Sequence, residues 1–255
     1  MSALREVVAT RYVTPLREGG SLPGIVEGDD LGTYVCKFRG AGQGPRVLVA
    51  EVIVSGLARR LEIPTPELVR IRLDEPIARY EADEEVQDLL HASLGDNLGV
   101  DFLPGSFGFD ASCEPDPEVA GRVLWLDGLV ANVDRSWRNP NLLIWHGDLW
   151  AIDHGACLYF HHAWAGGPPS VSGAADRFAA QPYDTSDHVL AAYADKVAAV
   201  DAGCREALGG TTLEEVVAEV PDVWLGDDPA VDRAAYVAFL RARLGGDQWV
   251  PGERA

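Results

Sequence analysis

Two short apolar runs lie close together near the middle of the chain. Residues 142–145 (Leu-Leu-Ile-Trp) and 149–152 (Leu-Trp-Ala-Ile) each have the length of a β-strand, and His146-Gly147-Asp148 between them is typical of a tight turn. The pattern predicts a β-hairpin. Such a hairpin brings the polar segment before it next to the polar segment that begins at Asp153.

The pairing register of this hairpin decides which residues meet. If Trp145 pairs with Leu149 across a three-residue turn, Asn141 lies opposite Asp153. A register shifted by one residue places Leu142 there instead. In either case Asp153 adjoins the polar loop, because opposed residues of antiparallel strands lie about 4.5–5.5 Å apart.

Three oxygen-bearing side chains, those of Asp134, Asn139 and Asp153, converge in this prediction. Magnesium prefers oxygen ligands and is usually held by one or two carboxylates together with substrate phosphates. Asn139 and Asp153 have the donor atoms for such a site. Asp134 would then orient or deprotonate a hydroxyl that attacks phosphorus. The alternative is a polar loop that only caps a buried hairpin.

The spacing Asp-x-x-x-x-Asn, followed by a hairpin and Asp-x-Gly, is that of protein-kinase-like active sites. Here it reads Asp134-Arg-Ser-Trp-Arg-Asn139 and then Asp153-His-Gly155. This version resembles HipA-like kinases and, more distantly, phosphatidylinositol kinases. The resemblance implies that Asp134 is the catalytic base and that Asn139 and Asp153 bind the metal.

Lysine is rare in this sequence, and one of its two lysines lies in an apolar strand. These are Lys37 and Lys196. An ammonium buried without a partner is costly, so Lys37 requires an anion. The candidates are a nucleotide phosphate and Glu51, which lies near the start of a predicted helix over 47–61. The resemblance implies that Lys37 contacts the α- and β-phosphates. A solvated helix surface is the alternative for Glu51.

A glycine-rich segment, Gly19-Gly20-Ser21 and Gly24, lies between strands predicted over 5–13 and 25–28. In kinase-like folds such a turn covers the nucleotide phosphates, because glycine lets backbone N–H groups approach oxygen closely. The resemblance therefore implies that Gly20 and Ser21 bind the nucleotide. It also makes Ser21 a candidate for self-phosphorylation. An ordinary hairpin turn is the alternative.

A second motif competes for the role of catalytic loop. His146-Gly147-Asp148 resembles the H-G-D of aminoglycoside and choline phosphotransferases, which share the kinase-like fold. In those enzymes an asparagine follows the aspartate by five residues, but here that position is Asp153. We therefore interpret His146-Gly147-Asp148 as the hairpin turn and Asp134 as the base.

The charge balance limits the partners of this chain. It has 40 acidic and 21 basic side chains and a formal charge of −19, which opposes binding to nucleic-acid phosphates. No apolar stretch approaches the length of a membrane span, and the first residues lack the apolar core of a signal peptide. The four scattered cysteines indicate neither a zinc site nor a disulfide framework. We expect a cytoplasmic protein that binds neither nucleic acid nor membrane.

The sequence predicts an α+β fold with the two lobes of a protein kinase. Residues 1–112 form the small, β-rich N-terminal lobe and residues 113–255 the larger, mainly helical C-terminal lobe, with a proline-rich boundary between them. In the second lobe, helices are predicted over 117–130, 187–208, 211–220 and 228–244, and a loop over 166–182.

The resemblance implies an ATP- and Mg²⁺-dependent kinase of the HipA-like class. It transfers the γ-phosphate to a hydroxyl, with serine or threonine of a protein as the expected acceptor. A small molecule or peptide remains open as the acceptor. Two other classes of function also remain open: a non-catalytic nucleotide-binding module, and an adaptor that does not bind nucleotide.

Overall fold

The computed structural model describes residues 4–16, 22–75, 77, 83–110, 112–164, 167–168 and 171–252. Gly20 and Ser21 lie outside these ranges. The described strands are β1 (Arg5–Pro15), β2 (Gly24–Gly28), β3 (Thr33–Lys37), β4 (Leu68–Leu73), β5 (Gly95–Asp101), β6 (Phe107–Gly108), β7 (Leu142–Trp145) and β8 (Asp148–Ala151). The described α-helices are α1 (Arg46–Arg60), α2 (Glu84–Ala92), α3 (Pro117–Val130), α4 (Val171–Ala179), α5 (Ala194–Ala207), α6 (Thr212–Val217) and α7 (Pro229–Leu244). Strands and helices thus occur together, which confirms the α+β class.

The first five strands close into a barrel with the order β1-β2-β3-β5-β4. β1 runs parallel to β4, and every other neighbouring pair is antiparallel. Alternate side chains point inward, as strand geometry requires, and fill the interior with apolar groups such as Val26, Cys36 and Ile71. At Gly99 in β5, an added Cβ atom would lie 2.6 Å from Val69 Cγ2, so this position has room only for glycine. The alternation of apolar and polar residues predicts the strands, but it does not predict that they close into a barrel.

Helix α1 connects the barrel to the rest of the chain. Every residue from 48 to 58 is buried, and the helix shares one continuous core with α3 and α6. Each large apolar side chain that is fully buried here stabilises the fold by about 1.5–3 kcal/mol. The helix predicted over 47–61 is confirmed. The core around α1 is continuous with that of the C-terminal helices. The division of the chain into two lobes at residue 112 stays a prediction.

Helix α3 begins and ends on clear sequence signals and leads into the polar loop. Asp116 caps its start by accepting hydrogen bonds from the N–H groups of Glu118 at 2.9 Å and Val119 at 3.0 Å, with Pro117 in the first turn. It ends at Ala131, which has a left-handed backbone with φ of 52°. This end fixes the direction in which the chain enters residues 132–141.

The hairpin is present, but both predicted registers are wrong. Trp145 pairs with Asp148, and the N–H of Ile152 donates to Asn141 O at 3.1 Å, so Asn141 faces Ile152. The reason lies in the turn. His146 and Gly147 both have positive φ, 54° and 93°, which makes a two-residue turn of the type that matches strand twist. Asp153 still adjoins the polar loop, because it follows Ile152 directly.

Two predictions about the C-terminal part need correction. The loop predicted over 166–182 contains helix α4, and the helix predicted over 187–208 starts only at Ala191, with a 3-10 turn that leads into α5. Within the described ranges, no helix combines the length and apolar character needed to cross a bilayer.

Candidate active site

A cavity of about 610 Å³ lies between the barrel and the β7–β8 hairpin. Four of the predicted site residues line it: Lys37, Asp134, Asn139 and Asp153. The same wall carries apolar side chains from the barrel, the β5–β6 connection and the hairpin, namely Leu16, Val35, Val100, Leu103, Leu143 and Ile152. We refer to the part of the wall around Lys37, Asp134, Asn139 and Asp153 as the polar end of the cavity, and to the part around these apolar side chains as its apolar end.

Lys37 stands at the polar end as the last residue of β3. Its Nζ forms an ion pair with Glu51 and a second one with Asp153 Oδ1 at 2.8 Å. Its side chain is only 12% exposed. Burial lowers the pKa of Lys37, but the two carboxylates outweigh burial and raise it overall. Lys37 is thus a fixed positive charge at the cavity wall, and the predicted contact with Glu51 is present.

Glu51 approaches Lys37 from the buried side. It lies in α1 with a side chain that is 2% exposed, which is unusual for a glutamate. Its carboxylate also accepts a hydrogen bond from the backbone N–H of His154. Burial raises the pKa of Glu51, Lys37 opposes this shift and Asp153 adds to it, so the pKa is raised overall. Glu51 therefore joins α1 to β3 and to the segment after the hairpin.

Asp153 approaches Lys37 from the open side, with half of its side chain exposed. Burial raises the pKa of Asp153, but Lys37 outweighs it and the pKa falls to about 2. The residue has a left-handed backbone with φ of 53°, which aspartate tolerates better than most residues do. Two positions later, an added Cβ at Gly155 would lie 2.5 Å from Val47 Cγ1. The Asp-x-Gly segment thus packs directly against α1.

The polar loop places Asp134 at the cavity wall. Asp134 Oδ2 accepts hydrogen bonds from Asn139 Nδ2 at 2.9 Å and from Asn141 Nδ2 at 3.1 Å. The N–H of Asp134 donates to Asn132 Oδ1 at 3.0 Å. Asn139 is exposed, whereas Asp134 and Asn141 are half-buried. The two amides therefore fix the orientation of the Asp134 carboxylate.

Beneath this loop lies a buried polar cluster that the sequence did not predict. Arg135 Nε donates to Asp127 Oδ2 at 2.6 Å, and both side chains are almost wholly buried. The same guanidinium donates to the backbone carbonyls of Asn141 and Ile152 and contacts His154 Nδ1 at 3.3 Å. Arg135 thus ties α3 to both strand ends of the hairpin.

Asp127 has two further side-chain partners. Asn132 Nδ2 donates to its Oδ1 at 2.8 Å, and His188 Nε2 lies 3.0 Å from its Oδ2. Burial raises the pKa of Asp127, but Arg135 and His188 outweigh it and hold that pKa well below the ordinary value. One signal could have revealed the cluster: Asp127 is a single carboxylate in an otherwise apolar helical stretch.

The segment after Gly155 is anchored to the start of α1. Arg46 donates from Nη2 to the carbonyl of Trp164 at 2.6 Å and from Nη1 to that of His161. His161 is buried, with Nδ1 3.0 Å from Tyr236 Oη. Burial, together with His162 and Arg46, lowers the pKa of His161 to about 3, so the ring is neutral. His161 therefore packs in the core as a neutral ring, whereas the adjacent His162 is exposed.

Asp148, Gly20 and Ser21 are the remaining candidates from the sequence. Asp148 is not among the residues that line the cavity, and it lies in the hairpin beside the turn. A second glycine-rich segment, residues 40–44, contributes Gln43 to the cavity wall. The roles predicted for Gly20 and Ser21 concern residues outside the described ranges, so they stay predictions.

The donor chemistry at the polar end fits a magnesium ion. Asp153 offers an ionised carboxylate, and the amide nitrogen of Asn139 donates to Asp134, which leaves the amide oxygen available as a ligand. Among the described residues, no group of three or more His, Cys, Asp or Glu side chains is arranged to hold a metal. A cation here would depend on one carboxylate, one amide and the oxygens of phosphate or water, as Mg²⁺ commonly does.

Kinase-type phosphotransferases surround the nucleotide phosphates with an ion-paired strand lysine and with metal-binding carboxylate and amide groups. Comparison with family models matches residues 10–163 to the HipA-like kinases. The match covers more than half of the chain, which therefore belongs to this family. It includes the barrel, α1, the polar loop and the hairpin, and ends before α4. A search of curated proteins returned no match.

Proposed function

We propose that this protein is an ATP- and Mg²⁺-dependent kinase that transfers the γ-phosphate to a hydroxyl, with protein serine or threonine as the acceptor. The observation that carries the proposal is that Lys37, bound to Glu51 and Asp153, lines the same cavity as Asp134 and Asn139. In this proposal residues 1–112 and 113–255 act as the two lobes that enclose the nucleotide.

The apolar end of the cavity suits the base of the nucleotide and the polar end its phosphates. Val35, Leu143 and Ile152 provide flat apolar walls. Lys37 would neutralise the α- and β-phosphates, and the backbone at Gly20 and Ser21 would cover them. A cavity of about 610 Å³ is also within the range of small-molecule sites, about 300–1,000 Å³.

Lys37 has two carboxylate partners that differ in burial, and this difference suggests how the site accepts a nucleotide. Glu51 is buried and would keep its ion pair with Lys37. Asp153 is half exposed and would release Lys37 and bind the metal when the nucleotide phosphates bind. The metal, when bound, supplies positive charge that stabilises the transferring phosphoryl group.

Asp134 would then act on the acceptor. Its carboxylate is held by two amides at the rim of the cavity and would accept the proton of the attacking hydroxyl. The acceptor oxygen forms a bond to the γ-phosphorus, while the bond from that phosphorus to the β–γ bridging oxygen breaks. ADP leaves with the electron pair of that bond.

The direct test is incubation of the purified chain with γ-labelled ATP, Mg²⁺ and a cell lysate. We expect transfer of label to protein by the wild type and loss of transfer in Asp153→Ala. Transfer of label only to small molecules or peptides would mean that the acceptor is not a protein. Binding of ATP without turnover against any acceptor, including the chain itself, would indicate a non-catalytic nucleotide-binding module.

A thermal-shift titration separates both of these outcomes from an adaptor that has no nucleotide site. ATP with Mg²⁺ at about 100 times its Kd should stabilise the folded state by about 2.7 kcal/mol. An unchanged Tm at saturating ATP and Mg²⁺ would support the adaptor and contradict the proposed function.

A further inference from the structure

Two asparagines, rather than one, donate to the proposed base. Asn139 Nδ2 and Asn141 Nδ2 both reach Asp134 Oδ2, at 2.9 Å and 3.1 Å. Two N–H donors on one carboxylate oxygen fix the plane of the carboxylate and leave the proton transfer to Oδ1. The loop motif that identifies the site includes only Asn139, and Asn141 lies two residues beyond it.

The two asparagines are held very differently. The carbonyl of Asn141 accepts the N–H of Ile152 at 3.1 Å and also accepts from the buried guanidinium of Arg135. Its backbone is left-handed, with φ of 46°, which asparagine tolerates better than most residues do. Asn139 is exposed, and its N–H bonds only within the loop, to Ser136. Asn141 is therefore the rigid donor and Asn139 the more mobile one.

We infer that Asn141 is a positioning residue, which holds Asp134 in the orientation for proton transfer while Asn139 serves the metal. This inference rests on the proposed function. It divides two tasks between two amides: the donor fixed to the hairpin keeps the base in place, and the donor in the exposed loop can adjust to the cation. Loss of Asn141 should then impair the transfer step without weakening metal binding.

Two substitutions remove the donor and keep the backbone. Asn141→Gly suits the left-handed conformation without strain, and Asn141→Asp keeps the shape of the side chain but lacks the N–H groups. Asn139→Ala is the comparison at the proposed metal ligand. His146→Gly is the matched control, because His146 is also a left-handed, non-glycine residue, with φ of 54°, but lies in the hairpin turn.

The experiment measures kcat and KM for ATP, and in parallel the affinity for Mn²⁺ with a non-hydrolysable ATP analogue, by electron paramagnetic resonance. Because a misplaced catalytic group costs up to about 100-fold in rate, we expect both Asn141 variants to lower kcat about 10- to 100-fold. The KM for ATP and the Mn²⁺ affinity of Asn141→Gly, which adds no charge, should stay at the wild-type values. Asn139→Ala should weaken Mn²⁺ binding, and His146→Gly should change neither quantity.

The outcomes separate this inference from the proposed function. If the wild type transfers phosphate and both Asn141 variants keep its kcat, the positioning role is wrong and the proposed function stands. If the Asn141 variants weaken Mn²⁺ binding as much as Asn139→Ala does, Asn141 is a metal ligand and the division of tasks is wrong. If the wild type transfers no phosphate, the proposed function fails and the inference fails with it.

Discussion

Lys37 and Asp153 are 116 positions apart in the chain, and Lys37 Nζ donates a hydrogen bond to Asp153 Oδ1 at 2.8 Å. This contact joins the barrel to the hairpin at the polar end of the cavity. Because Glu51 binds the same ammonium from the buried side, Lys37 connects three segments that have no sequence proximity. The site therefore depends on the packing of α1 between the barrel and the hairpin.

Replacing Lys37 should abolish phosphotransfer and leave a buried carboxylate without its cation. We expect Lys37→Met to lower kcat/KM for ATP at least about 100-fold, the usual scale for loss of a preorganised charge. Lys196→Met is the matched control, since Lys196 is the other lysine of the chain and is 44% exposed. Equal activity of the two variants would contradict a role for Lys37.

A second substitution, at Glu51, should restore part of the stability that Lys37→Met loses. Breaking a buried ion pair destabilises mainly through the charge that stays behind, whereas removing both partners costs less. The double variant Lys37→Met/Glu51→Leu should therefore unfold at a higher urea concentration than Lys37→Met alone. A lower urea midpoint for the double variant would mean that Glu51 is stabilised by groups other than Lys37.

Asp134 and Asp148 offer a direct comparison between the two rival catalytic loops. Asp134→Asn should lower kcat by about 100-fold or more, because a general base contributes about 10²–10⁴-fold. Asp148→Asn should leave kcat unchanged, since Asp148 flanks the hairpin turn away from the cavity. Steady-state assays with γ-labelled ATP measure both. Loss of activity only in Asp148→Asn would identify the His-Gly-Asp segment as the catalytic loop.

Arg135 should be required for stability as well as for activity. Arg135→Met leaves Asp127 charged and buried without its main partner, and the loss of one partner from a buried pair typically costs about 3–5 kcal/mol. Urea unfolding of Arg135→Met and of Arg138→Met makes a matched comparison within one loop, because Arg138 lies on the exposed side, over the Trp137 ring. Equal stability of the two variants would contradict a structural role for the buried cluster.

The ion pair of Asp153 should make stability depend on pH in the acid range. The folded-state pKa of Asp153, about 2, is below the ordinary value of 3.8, so its charged form stabilises the fold at pH values above about 4. This contribution is lost as the pH falls towards 2. The difference in urea midpoint between the wild type and Asp153→Asn should therefore be largest near pH 6 and should narrow towards pH 3. A difference that is constant over this range would mean that Asp153 is not stabilised as an anion.

The sequence predicts the local elements of the site better than their connections. The apolar runs 142–145 and 149–152 predict a hairpin because strand length and turn residues are local properties. The register is not predictable from the sequence, since His146 adopts a positive φ, which is uncommon for residues other than glycine, and this shortens the turn by one residue. The position of Lys37 in an apolar strand predicts an anionic partner, with Glu51 as one of two candidates, because a buried cation requires a nearby anion.

Asp127 alone indicates a buried polar contact, but its partners in the cluster and the closure of the barrel could not be predicted, for a different reason. Arg135 binds the backbone carbonyls of Asn141 and Ile152, and such contacts leave no trace in side-chain identity. Closure of the barrel depends on the parallel pairing of β1 with β4. That pairing joins strands more than fifty residues apart and involves no turn. Long-range backbone geometry, rather than residue type, determines both features.

The most direct test is a crystal structure of the chain with Mg²⁺ and a non-hydrolysable ATP analogue. We expect the phosphates to contact Lys37, the cation to lie between Asn139 and Asp153, and Glu51 to retain its ion pair with Lys37. A nucleotide bound outside this cavity, or a Lys37–Asp153 contact that persists with the cavity empty at saturating nucleotide, would contradict the proposed site.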